Sequence, residues 1–386
     1  MKGSERILVA GGGIGGLTAA IALRRAGFEV VVFERAAALD AVGAGLLLAA
    51  NAVKALGKLG LSDALREIGV PAAVGSILSR RGEVLLELNV ADLRKRVGAD
   101  TSAVHRADLQ EMLLREVDEA GATVWTGKEL VGFEQTCDGV HAFFADETEE
   151  RGAVLVGADG LRSRVRGRLF GDERPRYAGY TSWRGVAPES ELVPVGGGFE
   201  SWGRGRRFGC AHVGGGRVYW FATRNAPEGG DDGPAGSRAT LLEAFRGWHE
   251  PVEPLIRATE EDAILRTDIY DRDPLGKIWG EGRTTLLGDA AHPMTPNLGQ
   301  GACQAIEDTV VLARCLRESG ESAGALRRYE ALRSDRTAAI VRSSRRIGWV
   351  GQLENPFLCR LRERALKLIP VEMQLRQIQE VVGYEV

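Results

Sequence analysis

Gly11-x-Gly13-x-x-Gly16 is set between an apolar run at 6–10 and a helical stretch at roughly 15–26. A second apolar run at 30–34 follows, so residues 6–34 read as strand, glycine turn, helix and strand, one βαβ unit of a parallel sheet. Glycines at this spacing permit a tight turn and let a pyrophosphate approach the helix N-terminus, whose amides and partial positive charge favour an anion. Glu34 ends the second strand, 21 residues beyond Gly13. A carboxylate there can accept hydrogen bonds from a ribose 2′- and 3′-hydroxyl pair, and it would repel a 2′-phosphate. The unit predicts a dinucleotide site. Alone, it does not separate FAD from NAD.

Two later segments repeat the strand-to-turn pattern. Residues 153–156 lead into Gly157-Ala158-Asp159-Gly160, and residues 284–287 lead into Gly288-Asp289. Three turns at strand ends can meet at one ligand. Asp289 at such an end can bond a flexible polyol, which FAD has as its ribityl chain and NAD lacks. The loop through Pro296, Gly299, Gln300 and Gly301 then opens an amphipathic helix with apolar residues at 302, 305/306, 309/310, 312/313 and 316. Its N-terminal dipole can stabilise negative charge on a reduced flavin.

From 174 to 280 the texture changes to short alternating stretches, Gly198–Trp202, Arg206–His212 and 217–223, separated by glycine turns. This predicts an inserted antiparallel sheet with Trp202, Phe208, Trp220 and Phe221 in its core, and a mobile surface loop at 227–236. After 300 the chain reads as helical, with Arg333, Arg336, Arg342, Arg345 and Arg346 as a basic stripe, read as a solvated helix face in preference to a membrane or partner surface. The fold class expected is α/β: a Rossmann-like FAD-binding domain with an inserted antiparallel β-sheet substrate domain and a helical C-terminal region. The boundaries are 1–173 for the first FAD-binding part, 174–280 for the substrate domain, 281–330 for the completing FAD-binding part, and 331–386 for the helical end.

A net charge of −3 gives no reason to expect nucleic acid. Five scattered cysteines form no ligand-like pattern with the five histidines, which points to reduced thiols, a cytoplasmic setting and no metal. No run approaches the ~20 apolar residues of a membrane span. The apolar start at 7–10 runs into glycines, too early for a signal peptide.

Taken in order, these motifs resemble the class A flavoprotein monooxygenases, the family of para-hydroxybenzoate, salicylate and urate hydroxylases and of zeaxanthin epoxidase. The resemblance covers nearly the whole chain. Residues 11–34 match the family's first nucleotide motif, Gly157-Ala158-Asp159-Gly160 with Ser163 and Arg166 its second, and 288–301 its ribityl motif. It implies that Arg106 lies near the FAD phosphates and ribityl chain and that the Leu130 backbone meets the adenine. Pro296 and Gly299, Gln300, Gly301 and Ala302 would wall the isoalloxazine; Ile14, Gly15, Arg35 and Gly45 join the implied cofactor set. The chain departs from the pattern at Ala50 and His212, where the family often has proline.

The activity implied is that of an FAD-dependent, NAD(P)H-consuming monooxygenase. A nicotinamide binds transiently and reduces FAD, oxygen adds at flavin C4a, and the hydroperoxide passes one oxygen atom to a small aromatic or heteroaromatic substrate. Arg207 and Tyr219, 12 apart across a predicted hairpin, resemble the arginine and tyrosine with which urate hydroxylases hold and polarise their substrate. Arg184 and His212 are further candidates: an arginine can hold an anionic substrate, and a tyrosine or histidine can relay a phenolic proton. Epoxidation of an olefinic or lipidic substrate, a flavin reductase that does not oxygenate, and a non-catalytic FAD-binding protein are the alternatives. NADH or NADPH, and monomer or homodimer, stay open.

Overall fold

The computed structural model describes residues 5–39, 44–72, 75–88, 90–319 and 321–386. Five parallel strands form the central sheet in the order Thr284–Leu286, Val154–Gly157, Arg6–Ala10, Glu29–Phe33 and Thr123–Trp125. Their nearly unbroken apolar runs are covered on both faces, as a parallel sheet requires. Register sets Ala10 beside Gly157 and Gly157 beside Leu286. The three glycine-bearing turns therefore leave one sheet edge side by side, as expected.

A second sheet has seven strands: Leu265–Asp271, Arg176–Pro188, Arg217–Asn225, Arg206–His212, Gly198–Trp202, Gly75–Ser79 and Val84–Leu88. It is antiparallel except where Gly198–Trp202 runs parallel to Gly75–Ser79. Two of its strands thus come from before residue 90 and extend the Gly198–Trp202 edge, which would otherwise expose its backbone donors and acceptors. Side chains alternate between its faces. Trp183, Phe208 and Trp220 pack with Phe245 and Trp248 into a separate core, while Tyr180, Arg184, Arg207, Tyr219 and Phe221 share the opposite face by cross-strand register. Phe221, and Trp202 through its pairing with Arg207, therefore lie outside the sheet core assigned to them from sequence.

The segment 227–236 is an exposed surface loop, as expected, and hydrogen bonds tie it to the sheet. Asp232 accepts a hydrogen bond from the Trp183 indole at 2.7 Å, and Asp268 accepts one from the Gly229 amide at 2.7 Å. Beyond residue 300 the chain is helical, over Gly301–Glu318, Ser322–Gly351, Pro356–Lys367 and Val371–Val382. The basic face predicted there does not hold together. Arg333 is 0% exposed, and Arg345 pairs with Asp271 and Asp273; only Arg342 and Arg346 of the five are exposed. Spacing alone missed that buried carboxylates on the preceding helix claim Arg333. No helix among the described residues is long and apolar enough to cross a membrane.

Candidate functional site

Gly11 adopts φ +109° with its α-hydrogen face against the Ala158 carbonyl, where a Cβ would lie 2.7 Å from the Ala158 carbon. At Gly16 a Cβ would collide with the Gly11 carbonyl. Both glycines are required for the turn and for helix-on-strand packing. Gly13 is different: a Cβ there meets nothing within 4 Å among the described residues. It begins the Ile14–Arg25 helix, which has no side-chain N-cap, so its first amides remain available to an anion. At Gly15 a Cβ would come within 2.9 Å of Leu287 and 3.3 Å of Ala305. That close approach brings the Gly301–Glu318 helix, also without a side-chain cap, alongside the first one. Two positive helix ends border one cleft.

The Glu34 carboxylate accepts hydrogen bonds from Gly12 N (2.8 Å) and Ala36 N (2.9 Å). It braces the glycine turn while each oxygen keeps further acceptor capacity. Arg35 beside it is exposed, and Leu130 is buried at the start of the Leu130–Gln135 strand.

Asp159 accepts from Arg164 N (2.7 Å) and Val165 N (3.2 Å), while its Oδ1 has no hydrogen-bond partner among the described residues; burial pushes its carboxyl upward. Ser163 caps the Arg164–Phe170 helix through Arg166 N at 2.9 Å. Arg166 in turn donates to the carbonyls of Ala290 (3.2 Å) and Ala291 (3.1 Å), and burial brings its guanidinium down to about 10. The second motif thereby holds the third.

Asp289 opens into the cleft near Gly301, where a Cβ would stand 3.8 Å from its Oδ1. Its surroundings raise the carboxyl by desolvation, opposed by His292 and Arg106. Arg106, whose amide donates to the Ala44 carbonyl at 2.8 Å, also opens into the cleft. Desolvation lowers it, and Asp289, Arg184 and Tyr219 are its charged and polar neighbours. Pro296 lies in a single helical turn, Pro296–Leu298, and Gly299 closes it at φ +61° in the left-handed region. Pro296 and Gly299 are exposed, Gly301 and Ala302 half-buried, and Gln300 buried.

The sheet supplies the facing wall. Tyr219 interacts with Arg184 and Arg106; desolvation raises its hydroxyl pKa, so the proton stays on oxygen at neutral pH. Arg184 also donates to Thr267 at 2.9 Å. Gly45 lies directly against the Tyr219 ring. Arg184, Tyr219, Arg106 and Asp289 are thus brought together. Arg207 sits elsewhere on the same face, since Ala211, not Arg207, pairs with Tyr219, four strand residues or about 13 Å away. It is buried and donates to Glu200 (3.0 Å), Gln352 (3.2 Å) and Asn297. His212 belongs to the opposite face, with its Nε2 3.6 Å from Glu189.

Sequence reading missed a buried polar network beneath the 288–301 loop. Asn51 donates to Gln300 (3.0 Å) and Glu307 (2.6 Å), and Gln304 donates to Gln300 (3.0 Å). His292 pairs with Asp308 at 2.7 Å, while Arg333 bonds Asp308 (2.7 Å), Gln304 (2.7 Å) and Glu307. Arg336 donates to both oxygens of Glu307 (2.8 and 2.7 Å). Burial raises both carboxyls, but Arg336 and Arg333 at Glu307, and His292 and Arg333 at Asp308, outweigh it and hold them below the usual carboxylate range. The signal was present: Glu307 and Asp308 fall between the apolar positions 305/306 and 310/311.

The cleft fits an elongated dinucleotide carrying a polyol. Gly13 leaves room at one helix end, and Asp289 opens beside the other. The family model for an FAD binding domain matches residues 5–344. Aurachin C monooxygenase/isomerase of Stigmatella aurantiaca is 48% identical over 369 residues, 96% of this chain and 95% of that protein. 6-Hydroxynicotinate 3-monooxygenase of Pseudomonas fluorescens is 37% identical, over 93% and 95%. The crystal structure of Klebsiella pneumoniae HpxO with FAD and uric acid superposes with a TM-score of 0.91 at 33% identity, covering 98% of this chain and 96% of that one. The chain therefore belongs to the FAD-binding-domain family and is a flavoprotein enzyme of the FAD-dependent monooxygenase kind.

Proposed function

We propose that this enzyme uses NAD(P)H to reduce FAD and transfers one atom of O2 to a small, planar aromatic or heteroaromatic substrate carrying an acidic hydroxyl or an anionic group. The observation that carries the reading is the Arg184–Tyr219 pair on the sheet face, set against Arg106 and Asp289 on the nucleotide side. When bound, FAD supplies hydride acceptance and oxygen activation; the protein supplies binding, orientation and exclusion of water.

In this reading the Gly11–Gly16 turn and the amides from Ile14 receive the pyrophosphate, and Glu34 receives the adenosine ribose. The Leu130 backbone would meet the adenine, Asp289 would bind the ribityl hydroxyls, and Arg106 would hold the ribityl chain and phosphates. Gln300, Gly301 and Ala302 present the amides of a helix N-terminus to the pyrimidine end of the ring, favouring its anionic reduced form. Arg184 holds the substrate anion, and Tyr219 hydrogen-bonds the hydroxyl at the carbon to be attacked. Arg207 is a positioning residue, fixing the wall through Asn297. Residues 1–173 and 281–330 carry FAD, 174–280 cover the substrate, and 331–386 brace the flavin loop from behind. A cytoplasmic location, where reduced nicotinamide and reduced thiols are available, belongs to the same proposal.

Support also comes from relatives whose names specify urate and 6-hydroxynicotinate, both small heteroaromatic anions or phenol-like compounds at neutral pH. The test is oxidation of NADH and NADPH by the purified holoenzyme against phenols, aromatic acids, purines, quinolines and olefins, with peroxide and product measured together. One aromatic compound that speeds oxidation and yields an oxygenated product supports the reading. Stimulation by olefins alone would assign the enzyme to epoxidation; peroxide with every compound would contradict productive oxygenation of these classes.

A further inference from the structure

The Pro356–Lys367 helix has an inner face fastened to the protein and an outer face that is apolar and exposed. On the inner face Cys359 and Arg362 are buried. Arg362 donates to the carbonyls of Val350 (3.2 Å), Gly351 (3.1 Å) and Gly203 (3.0 Å) and lies over the Trp202 ring. With 3.6 residues per turn, Phe357, Leu361, Arg364 and Leu368 fall in one line on the opposite side. Phe357 is 72% exposed, Leu361 55% and Leu368 80%. Arg360 and Arg364, both exposed, stand beside and within this stripe and form no ion pair among the described residues. Exposed apolar residues singly are ordinary, but a helical stripe of three held outward by a rigid inner face is not.

We propose that this face docks peripherally on an anionic lipid surface. The charge pattern selects that occupant: the exposed charged side chains of this helix are the cations Arg360, Arg364 and Lys367, the last paired with Glu83, within a chain of net charge −3. Phe and Leu on one side with cations at the border is the composition of helices that lie in the headgroup region, where the rings enter the acyl boundary and arginines meet lipid phosphates. A second copy fits less well, since a two-fold contact through this stripe sets each Arg360 and Arg364 against its own kind. The same end of the molecule is fixed to the substrate sheet: Gln352 accepts from Arg207 at 3.2 Å, and Asn225 donates to the Gln352 carbonyl at 3.0 Å. Docking would therefore bring the sheet wall close to the bilayer, a short path for an apolar substrate carried there.

The test is co-sedimentation of the holoenzyme with phosphatidylcholine vesicles, with and without phosphatidylglycerol, at low and high salt. The expected result is binding to the phosphatidylglycerol vesicles that weakens with salt. Phe357→Ser with Leu361→Ser should weaken it by roughly tenfold for each side chain, and Arg360→Glu with Arg364→Glu should remove the preference for anionic lipid. Retained FAD and an unchanged melting temperature show that the variants fold. Absence of binding beyond that to pure phosphatidylcholine, or unchanged binding by the Phe357/Leu361 variant, overturns the proposal. So does a wild-type dimer that this variant converts to monomer in analytical ultracentrifugation, which would assign the face to a second copy.

Discussion

Gly45 lies flat against the ring of Tyr219, so that a Cβ at Gly45 would stand 2.5 Å from Tyr219 Cβ and Cδ1. No side chain fits there unless the ring moves. The first strand of one small sheet, Gly45–Leu48, thus sets the position of a tyrosine carried by another, Arg217–Asn225. Gly45→Ala should displace the Tyr219 hydroxyl from Arg184, at an overpacking cost of about 1–3 kcal/mol. We expect kcat/KM to fall about tenfold or more, with the Kd for FAD changed little. Fluorescence titration of FAD with steady-state kinetics checks both; a large loss of FAD affinity with normal turnover would make Gly45 a cofactor contact instead.

Tyr219→Phe removes the hydroxyl without crowding. If that hydroxyl bonds the substrate, kcat should fall on the order of tenfold to a thousandfold, and the pH profile of the remaining activity should change. Substrate-stimulated nicotinamide oxidation that stays normal in Tyr219→Phe would place the reacting group elsewhere.

The glycines of the first turn separate into two kinds, and substitution should reveal it. Gly13→Val fills the open space before the Ile14–Arg25 helix, so the protein should fold but purify without yellow colour. Gly16→Ala collides with the Gly11 carbonyl and should lower thermal stability even without FAD. Asp289→Ala should weaken FAD by about tenfold to a hundredfold, the loss of one or two charge-assisted hydrogen bonds. A yellow Gly13→Val protein or unchanged FAD affinity in Asp289→Ala would contradict the placement.

Acid should act on the network under the 288–301 loop. Glu307 and Asp308 are held below the usual carboxylate range by Arg336, Arg333 and His292, despite burial. The unfolded chain therefore takes up protons before the folded one does. Their contribution to stability is complete above the ordinary carboxylate range, near pH ~4, and is lost as pH falls through the lowered folded values. Arg333→Met should cost about 3–5 kcal/mol at neutral pH by leaving buried carboxylates short of their counter-charge. It should also flatten or reverse the loss of stability on acidification. Melting temperatures of both proteins between pH ~7 and ~2 provide the check; parallel curves would show that the network does not carry this linkage.

The fold was legible wherever a local pattern had one physical solution. Strand, glycine turn and helix at 6–26, with Glu34 ending the next strand, pointed to a dinucleotide turn, and the order of the three motifs anticipated their adjacency at one sheet edge. What stayed hidden depended on partners distant in sequence. Arg333 reads as a surface charge until Glu307 and Asp308 are seen beneath it, and Asp232 reads as a loop residue until Trp183 reaches it. The 12-residue spacing of Arg207 and Tyr219 fits a hairpin, and they do share a face. Only the register, pairing Tyr219 with Ala211, separates them and leaves Arg184 as the neighbour of Tyr219.

The most direct measurement of the central claim is turnover under isotopically heavy O2 with mass analysis of the product formed from the substrate that best stimulates NAD(P)H oxidation. The account predicts one heavy oxygen atom per product molecule and loss of that product in Tyr219→Phe. A product whose new oxygen comes from water, or a reduced product that forms equally well without O2, would contradict it.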